Sequence, residues 1–406
     1  MENLGFPKGF YFGSATSSHQ VEGNNRNDWT EWEKENAKVK SQNVKLNPPA
    51  GGWPDFILQK YPNPLQEENY ISGKACDHYS RFQEDFDIAK SLGHNAHRFS
   101  IEWSRIEPEE GKFDQKEIEH YREVIRALRE RGMEPFVTLW HWTLPLWVSQ
   151  RGGFENRETG AYFVRYCEKI AQEFKNDVTF FITLNEPVLW ASNAYRIGNF
   201  PPQKKSFISF YKAFRNLHRV HAQTYHALKK INPDFQIGIT QNIGYFDSVL
   251  FSPIYYFINF FFLKTVTFET DYIGIDYYRK IPFLRKSKPN SDIAWETYPQ
   301  GLYFVLKEVW RRFKKPIFIL ENGIADAEDK NRARFIQEHL YWVKEAIKSG
   351  IDVRGYFYWS LLDNFEWEHG FWPRFGLVEV DYKTQERKTR ESAKIYADMI
   401  KNSKLT

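Results

Sequence analysis

Short apolar runs of strand length recur along the chain, at Phe10–Ser17, Asn95–Glu102, Glu134–His141, Val178–Glu186, Gln236–Gly244, Asp271–Tyr277, Pro316–Glu321 and Arg354–Ser360. Between them the apolar positions change to a 3.6-residue period, over Tyr79–Leu92, Gln115–Arg131, Thr159–Phe174, Ser206–Ile231, Leu302–Arg312, Asn331–Ser349 and Thr389–Ile400. Strands that alternate with helices pair in parallel through βαβ units. Eight such units in 406 residues predict an α/β fold: a single (β/α)8 TIM barrel domain, 1–406, with long loops at the carboxyl-terminal face of the strands. A doubly wound open sheet is the competing architecture, but no Gly-x-Gly-x-x-Gly or Walker-type loop follows any strand. Several runs stop at polar residues, and Glu102, His141, Asn185, Glu186, Asp276 and Glu321 are the candidates for one shared mouth.

Two stretches interrupt the alternation. Asn43–Lys74, rich in Pro, Gly and Asn, reads as a long ordered loop over that mouth. Phe251–Leu263 is nearly all apolar, yet it falls short of the about 20 residues a membrane span needs. Pro253 and Asn259 interrupt it, so a buried or half-buried helix on the barrel exterior is expected, with an interfacial or oligomer-forming patch as the alternative.

Composition narrows the class. Hydrophobic residues at 42% and charged residues at 27% supply a sizeable core and exclude disorder for most of the chain. A formal charge of +4 is too small to imply nucleic acid as the main partner. Aromatic residues make up 18%, enough to fill a core and line a pocket as well. Two cysteines, Cys76 and Cys167, cannot build a disulfide framework, and Met1–Phe12 holds no apolar signal core; both point to the cytoplasm. The histidines show no metal-ligand spacing, so neither a metal nor an organic cofactor is expected.

The chemistry is carried by two carboxylates at the ends of apolar runs, in Thr183-Leu184-Asn185-Glu186-Pro187 and Ile319-Leu320-Glu321-Asn322-Gly323. They lie three βα units apart, which sets Glu186 after the fourth strand and Glu321 after the seventh, facing each other across the barrel. Two carboxyl groups about 5 Å apart can cleave a glycosidic bond with retention, one as nucleophile and the other as acid and then base. Either Glu taken alone could instead cap its strand or pair with an arginine.

The chain closely resembles glycoside hydrolase family 1, the β-glucosidase and β-galactosidase family, from Phe6 to about Ile400. The motifs that carry the resemblance are Phe12-Gly13-Ser14-Ala15-Thr16 with Gln20-Val21-Glu22-Gly23, Arg98-Phe99-Ser100-Ile101-Glu102-Trp103-Ser104-Arg105-Ile106, Thr138-Leu139-Trp140-His141-Trp142, the two glutamate motifs, and Tyr358-Trp359-Ser360-Leu361-Leu362-Asp363-Asn364-Phe365-Glu366-Trp367. The resemblance implies Glu186 as acid/base and Glu321 as nucleophile. It implies that Gln20, His141, Asn185, Glu366 and Trp367 bind sugar hydroxyls, that Trp359 is the stacking floor, and that Trp142 and Phe375 belong to the substrate-binding set. A pyranose offers a C–H face to an aromatic ring and a rim of hydroxyls to amides and carboxylates, which supports these types independently. Arg98 and Tyr278 are the expected supports that keep Glu321 ionised. Trp372 is expected either to flank the aglycone or to close a loop.

Within the resemblance, Glu366 argues for a neutral sugar, because family members acting on 6-phosphorylated sugars usually carry Ser there and a carboxylate repels a dianion. The expected activity is therefore that of a retaining, exo-acting β-glycosidase on small β-glucosides, β-galactosides or oligosaccharides. Transglycosylation through the same double displacement, or sugar binding without catalysis, is the alternative. Nucleic acid and a membrane span are not expected, and homo-oligomer formation is left open. Two departures from the family pattern stand out. Asp276 occupies a position that is usually Asn, which makes it either a protonated group or one that raises the pKa of a catalytic carboxyl. The chain is also short between Gly244 and Asp271.

Overall fold

All eight runs form strands in the computed structural model, which describes residues 5–49, 52–246, 252–281 and 288–403. They are β1 Tyr11–Ala15, β2 Ala96–Ser100, β3 Glu134–Thr138, β4 Phe180–Ile182, β5 Gln236–Asn242, β6 Tyr272–Asp276, β7 Ile317–Asn322 and β8 Val353–Trp359. Each pairs in parallel with its neighbours and β8 closes onto β1, giving a closed barrel. Parallel strands need long return connections, and helices supply them, shielding the outward strand faces from water.

Side chains alternate along each strand, so every second residue points into the barrel. Near the strands' amino ends those positions are aromatic: Phe136 stacks on Phe180 at 4.2 Å, and Tyr11 and Phe318 pack edge-on against them. Phe136 and Phe318 are buried, and each such ring contributes about 1.5–3 kcal/mol by leaving water. Toward the carboxyl ends the inward residues become polar: Arg98, Thr138, Thr240 and Asp276, all buried. The same alternation thus builds a packed floor below and a polar mouth above.

The predicted helices form within a few residues of their expected bounds, for example Thr159–Phe174 and Phe207–Ile231. The loop expected over Asn43–Lys74 needs correction. A helix over Asp28–Leu46 enters it, and Asp55–Leu58 and the 3-10 turn Glu67–Tyr70 break it further, while Ala50 and Gly51 lie outside the described residues. The long helix starts where Asn27 accepts from the Thr30 backbone N–H and Thr30 returns the bond, a reciprocal cap. It buries Trp29, Trp32, Glu33, Ala37 and Ser41 on one face. In the apolar run Phe251–Leu263, Phe251 lies outside the described residues, and the chain is helical over Ser252–Val266 with Asn259, Phe260, Phe262, Leu263 and Val266 buried. No helix among the described residues is long and apolar enough to cross a membrane.

Candidate active site

Three carboxyl groups converge at the barrel mouth. One oxygen each from Glu186, Asp276 and Glu321 lies within 4.8 Å of the others, and all three residues are buried. Glu321 is the fifth residue of β7, inside the strand, where a position just beyond it was expected. Glu186 comes after β4 as expected, and Asp276 is the last residue of β6. The Gly323 that follows Glu321 lies so close to Trp359 that an added Cβ would collide with the Trp359 carbonyl, so glycine there lets β7 and β8 leave the barrel side by side.

The two glutamates have unlike surroundings. Arg98, from β2, donates to Glu321 Oε1 at 2.7 Å, and the Tyr278 hydroxyl donates to Oε2 at 2.6 Å. Arg98 is itself fixed by Thr138, by the Leu320 carbonyl and by Asn185. Glu186 accepts from Asn242 Nδ2 at 2.9 Å. Burial pushes the Glu321 carboxyl up, while Arg98 and Tyr278 pull it back. Burial pushes Glu186 well above the usual range, and the carboxyl groups of Asp276 and Glu321 push it further. Asp276 is raised in the same way, by burial first and then by Glu321, while Arg98 and hydrogen bonds with Thr240 and Glu186 pull it back. Arg98 stands 3.8 Å from it. Three carboxyl groups beside one guanidinium cannot all be ionised. Glu321 holds two direct donors, which favours its ionised form, and Glu186, with Asp276 and Glu321 beside it, is driven to hold its proton.

The three carboxyl groups also have the spacing of a cation site. A guanidinium at 2.7 Å from Glu321 already supplies the positive charge there, so the donor set is that of an ion pair with its partner in place.

The residues expected around a sugar lie on the same side. Asn185 accepts from Arg98 and from Thr240 Oγ1 at 2.7 Å, and its amide donates to His141 Nε2 at 3.1 Å. Burial drives the His141 pKa well below its ordinary value, so the ring is neutral and carries its proton on Nδ1. Trp142 donates its indole N–H to the Asn185 carbonyl at 3.0 Å. His141 stacks near-parallel to Trp359 and to Trp367, at 6.0 and 5.8 Å. Gln20 donates to Asn364, to the Phe365 carbonyl and, at 3.5 Å, to Glu366. Burial, with Glu368 and Glu321 nearby, pushes Glu366 up to about 8. Phe375 is buried against Tyr278 and Trp295. Trp142, Glu186 and Trp367 all have positive φ, of 78°, 42° and 49°. Such backbone is costly for bulky residues and persists where surrounding contacts enforce it, and here it gathers at one mouth.

Glu102 does not belong to this cluster. The chain turns away after Ser100, and its carboxylate accepts from Ser18, Ser104, Thr143 and Asn27, a buried hub joining β1, β2 and the helix Asp28–Leu46. Trp372 packs edge-on against Trp53. Sequence reasoning missed Asn242, the partner of Glu186, and Thr240, which holds Asn185. The signal was present: Thr240-Gln241-Asn242 ends the fifth apolar run in polar residues, as the other functional strands do.

A closed parallel barrel with paired carboxyl groups and an aromatic, amide-rich rim at its carboxyl end defines a glycoside hydrolase. The chain belongs to glycosyl hydrolase family 1, whose family model matches residues 2–247 and 264–405. It is a β-glycosidase. Its relatives include beta-glucosidase A of Thermotoga maritima, 32% identical with 98% of each chain covered, and the beta-galactosidase of Sulfolobus acidocaldarius, 29% identical over 98% of this chain and 96% of the relative. Among solved structures, the beta-glycosidase from Pyrococcus horikoshii superposes with a TM-score of 0.85 at 36% identity, covering 99% of this chain and 96% of that one. The Thermotoga maritima beta-glucosidase in complex with deoxynojirimycin gives 0.84 at 30%, covering 98% and 99%. The stretch the family model leaves unmatched, 248–263, falls in the segment expected to be short.

Proposed function

We propose that the chain is a retaining, exo-acting β-glycosidase of neutral β-glucosides and β-galactosides that works through a covalent glycosyl-enzyme. The observation that carries this reading is the approach of Glu186 and Glu321 to within 4.8 Å. That spacing suits a nucleophile and an acid/base on one anomeric centre, whereas an inverting pair needs about 6.5–9.5 Å to seat a water. Glu321, ionised by Arg98 and Tyr278, attacks the anomeric carbon as the bond to the aglycone oxygen breaks. Glu186 gives its proton to that oxygen. Water then attacks the same carbon, Glu186 takes the water's proton, and the ester to Glu321 breaks to regenerate its carboxylate. Two inversions give net retention.

In this reading Gln20, His141 through its Nδ1 proton, Asn185, Glu366 and Trp367 meet the hydroxyls, and Trp359 lies under the ring. Asn185 meets the 2-hydroxyl, a contact that tightens as charge develops at the anomeric carbon. Trp142 holds Asn185 in place, and Phe375 backs Tyr278 near the C6 group. A panel of aryl β-glycosides with the first-formed sugar followed by NMR tests this. The β-anomer is expected first, from a glucoside or galactoside, with kcat/KM for a 6-phosphorylated analogue lower by about a hundredfold or more above pH 8, where Glu366 is ionised and a dianion beside it has like charge to face, and by less below it. An α-anomer appearing first would reject the retaining mechanism.

Asp276 is proposed to share protons with Glu186 and keep it protonated. The sign follows from the environment: a neighbouring carboxyl raises the Glu186 pKa, and the alkaline limb of kcat/KM reports loss of that proton. Asp276→Asn is therefore expected to move the alkaline limb down by roughly one pH unit, with the acid limb in place. Superimposable limbs would mean that the two groups are not coupled.

A further inference from the structure

The connection from β4 to β5 has an uneven make-up. From Pro187 to Pro233 it contains Arg196, Lys204, Lys205, Lys212, Arg215, Arg219, Lys229 and Lys230, and no Asp or Glu. Its first half also exposes four large apolar side chains close together in sequence: Phe207 and Ile208 are each 69% exposed, Tyr211 57% and Ile197 47%. These form one surface. Ser206 N–H donates to the Tyr195 carbonyl at 2.7 Å, and the Lys205 stem covers Gly198, where an added Cβ would sit 3.0 Å from it. Phe207, Phe210 and Phe214 continue it inward as a line of rings at about 6 Å spacing.

The charges around it that lack an ion-pair partner among the described residues are cationic. Arg196, Lys205 and Arg215 are exposed and make no ion pair with any described residue. Glu155 is the acid in contact at this end, and Lys204 at 2.5 Å and Lys212 at 3.7 Å engage it. The position follows from the topology. The chain leaves β4 at its carboxyl end, beside Glu186, and the helix Phe207–Ile231 carries it back to the start of β5, so Phe207 is at the level of the barrel mouth.

Single exposed apolar residues need no explanation, but a cluster rimmed by cations does. A second copy docked on this surface by a two-fold axis would bring one set of Arg196, Lys205 and Arg215 up to another, like charge against like. An anionic bilayer satisfies both halves of the surface: apolar side chains enter the acyl boundary, and Lys and Arg meet phosphate. We propose that this shelf seats the protein on an anionic lipid surface, peripherally, with the barrel mouth facing the membrane.

Co-sedimentation with vesicles of phosphatidylcholine alone or with phosphatidylglycerol added tests it. The full chain is expected to bind the anionic vesicles at least about tenfold more tightly, and to be released by salt. The triple variant Phe207→Ser, Ile208→Ser, Tyr211→Ser and the double variant Lys205→Glu, Arg215→Glu are each expected to lose about tenfold or more in that binding, with unchanged turnover of a water-soluble aryl glycoside as proof of folding. Failure to bind anionic vesicles, equal binding to both compositions, or binding that neither variant weakens would overturn the proposal. So would a dimer in solution that the serine variant dissociates, because the shelf would then be a subunit interface.

Discussion

Glu321→Ala is expected to lower kcat on any aryl β-glycoside by at least about four orders of magnitude, because the step it removes is bond formation itself. The substitution also strips Arg98 of its 2.7 Å partner and leaves that buried guanidinium facing Asp276 at 3.8 Å. Removing one member of a buried pair costs about 3–5 kcal/mol of stability, so a simple loss of activity would be open to a folding explanation. Glu321→Gln resolves this. Its amide oxygen still accepts from Arg98 or Tyr278 and fills the same volume, yet it is no nucleophile. Both variants are expected to be inactive, with the Gln variant unfolding at nearly the parent temperature. Turnover retained in a folded Gln variant would remove Glu321 from the nucleophile's place.

The barrel could be read from the sequence because its strands are buried on both faces and therefore write continuous apolar runs, several of them ended by a polar residue at the mouth. The helix Asp28–Leu46 escaped because it buries only a narrow stripe, and its lysines, asparagines and glutamates hide the period; the Asn27 to Thr30 cap was its one legible mark. Glu102 and Glu186 look alike in sequence, each closing an apolar run. They part in the fold because side-chain alternation holds only while the strand lasts. Beyond Ser100 the chain turns toward Ser18 and Thr143, whereas beyond Ile182 it continues along Thr240, whose carbonyl accepts from Glu186 N–H. Which way a residue turns one or two positions past a strand depends on contacts from other strands, and one chain segment does not contain them. The motifs shared with the family carried that missing information for Gln20, Trp359 and Glu366. They carried none for Asp276, where this chain differs.

Glu186→Ala is expected to separate the two half-reactions. With a 2,4-dinitrophenyl leaving group, which needs no proton, attack by Glu321 proceeds nearly unaided, so the first step changes little. With an alkyl leaving group the same step is expected to fall by roughly 10²–10⁴-fold, the usual worth of a positioned acid. The second step loses its base with either substrate. The glycosyl-enzyme then accumulates, seen as a burst of dinitrophenolate and a depressed KM. Azide, which needs no base, is expected to restore turnover by attacking the anomeric carbon from the face Glu186 used to serve. That face is opposite the bond to Glu321, so the product is the β-glycosyl azide. Asn242, whose bond to Glu186 at 2.9 Å is lost in this variant, keeps an amide at the edge of the vacated space. An equal fall for both leaving groups without a burst would show that the proton comes from elsewhere, and Asp276, within 4.8 Å of both glutamates, would be the group to examine next; an α-azide would instead make Glu186 the nucleophile.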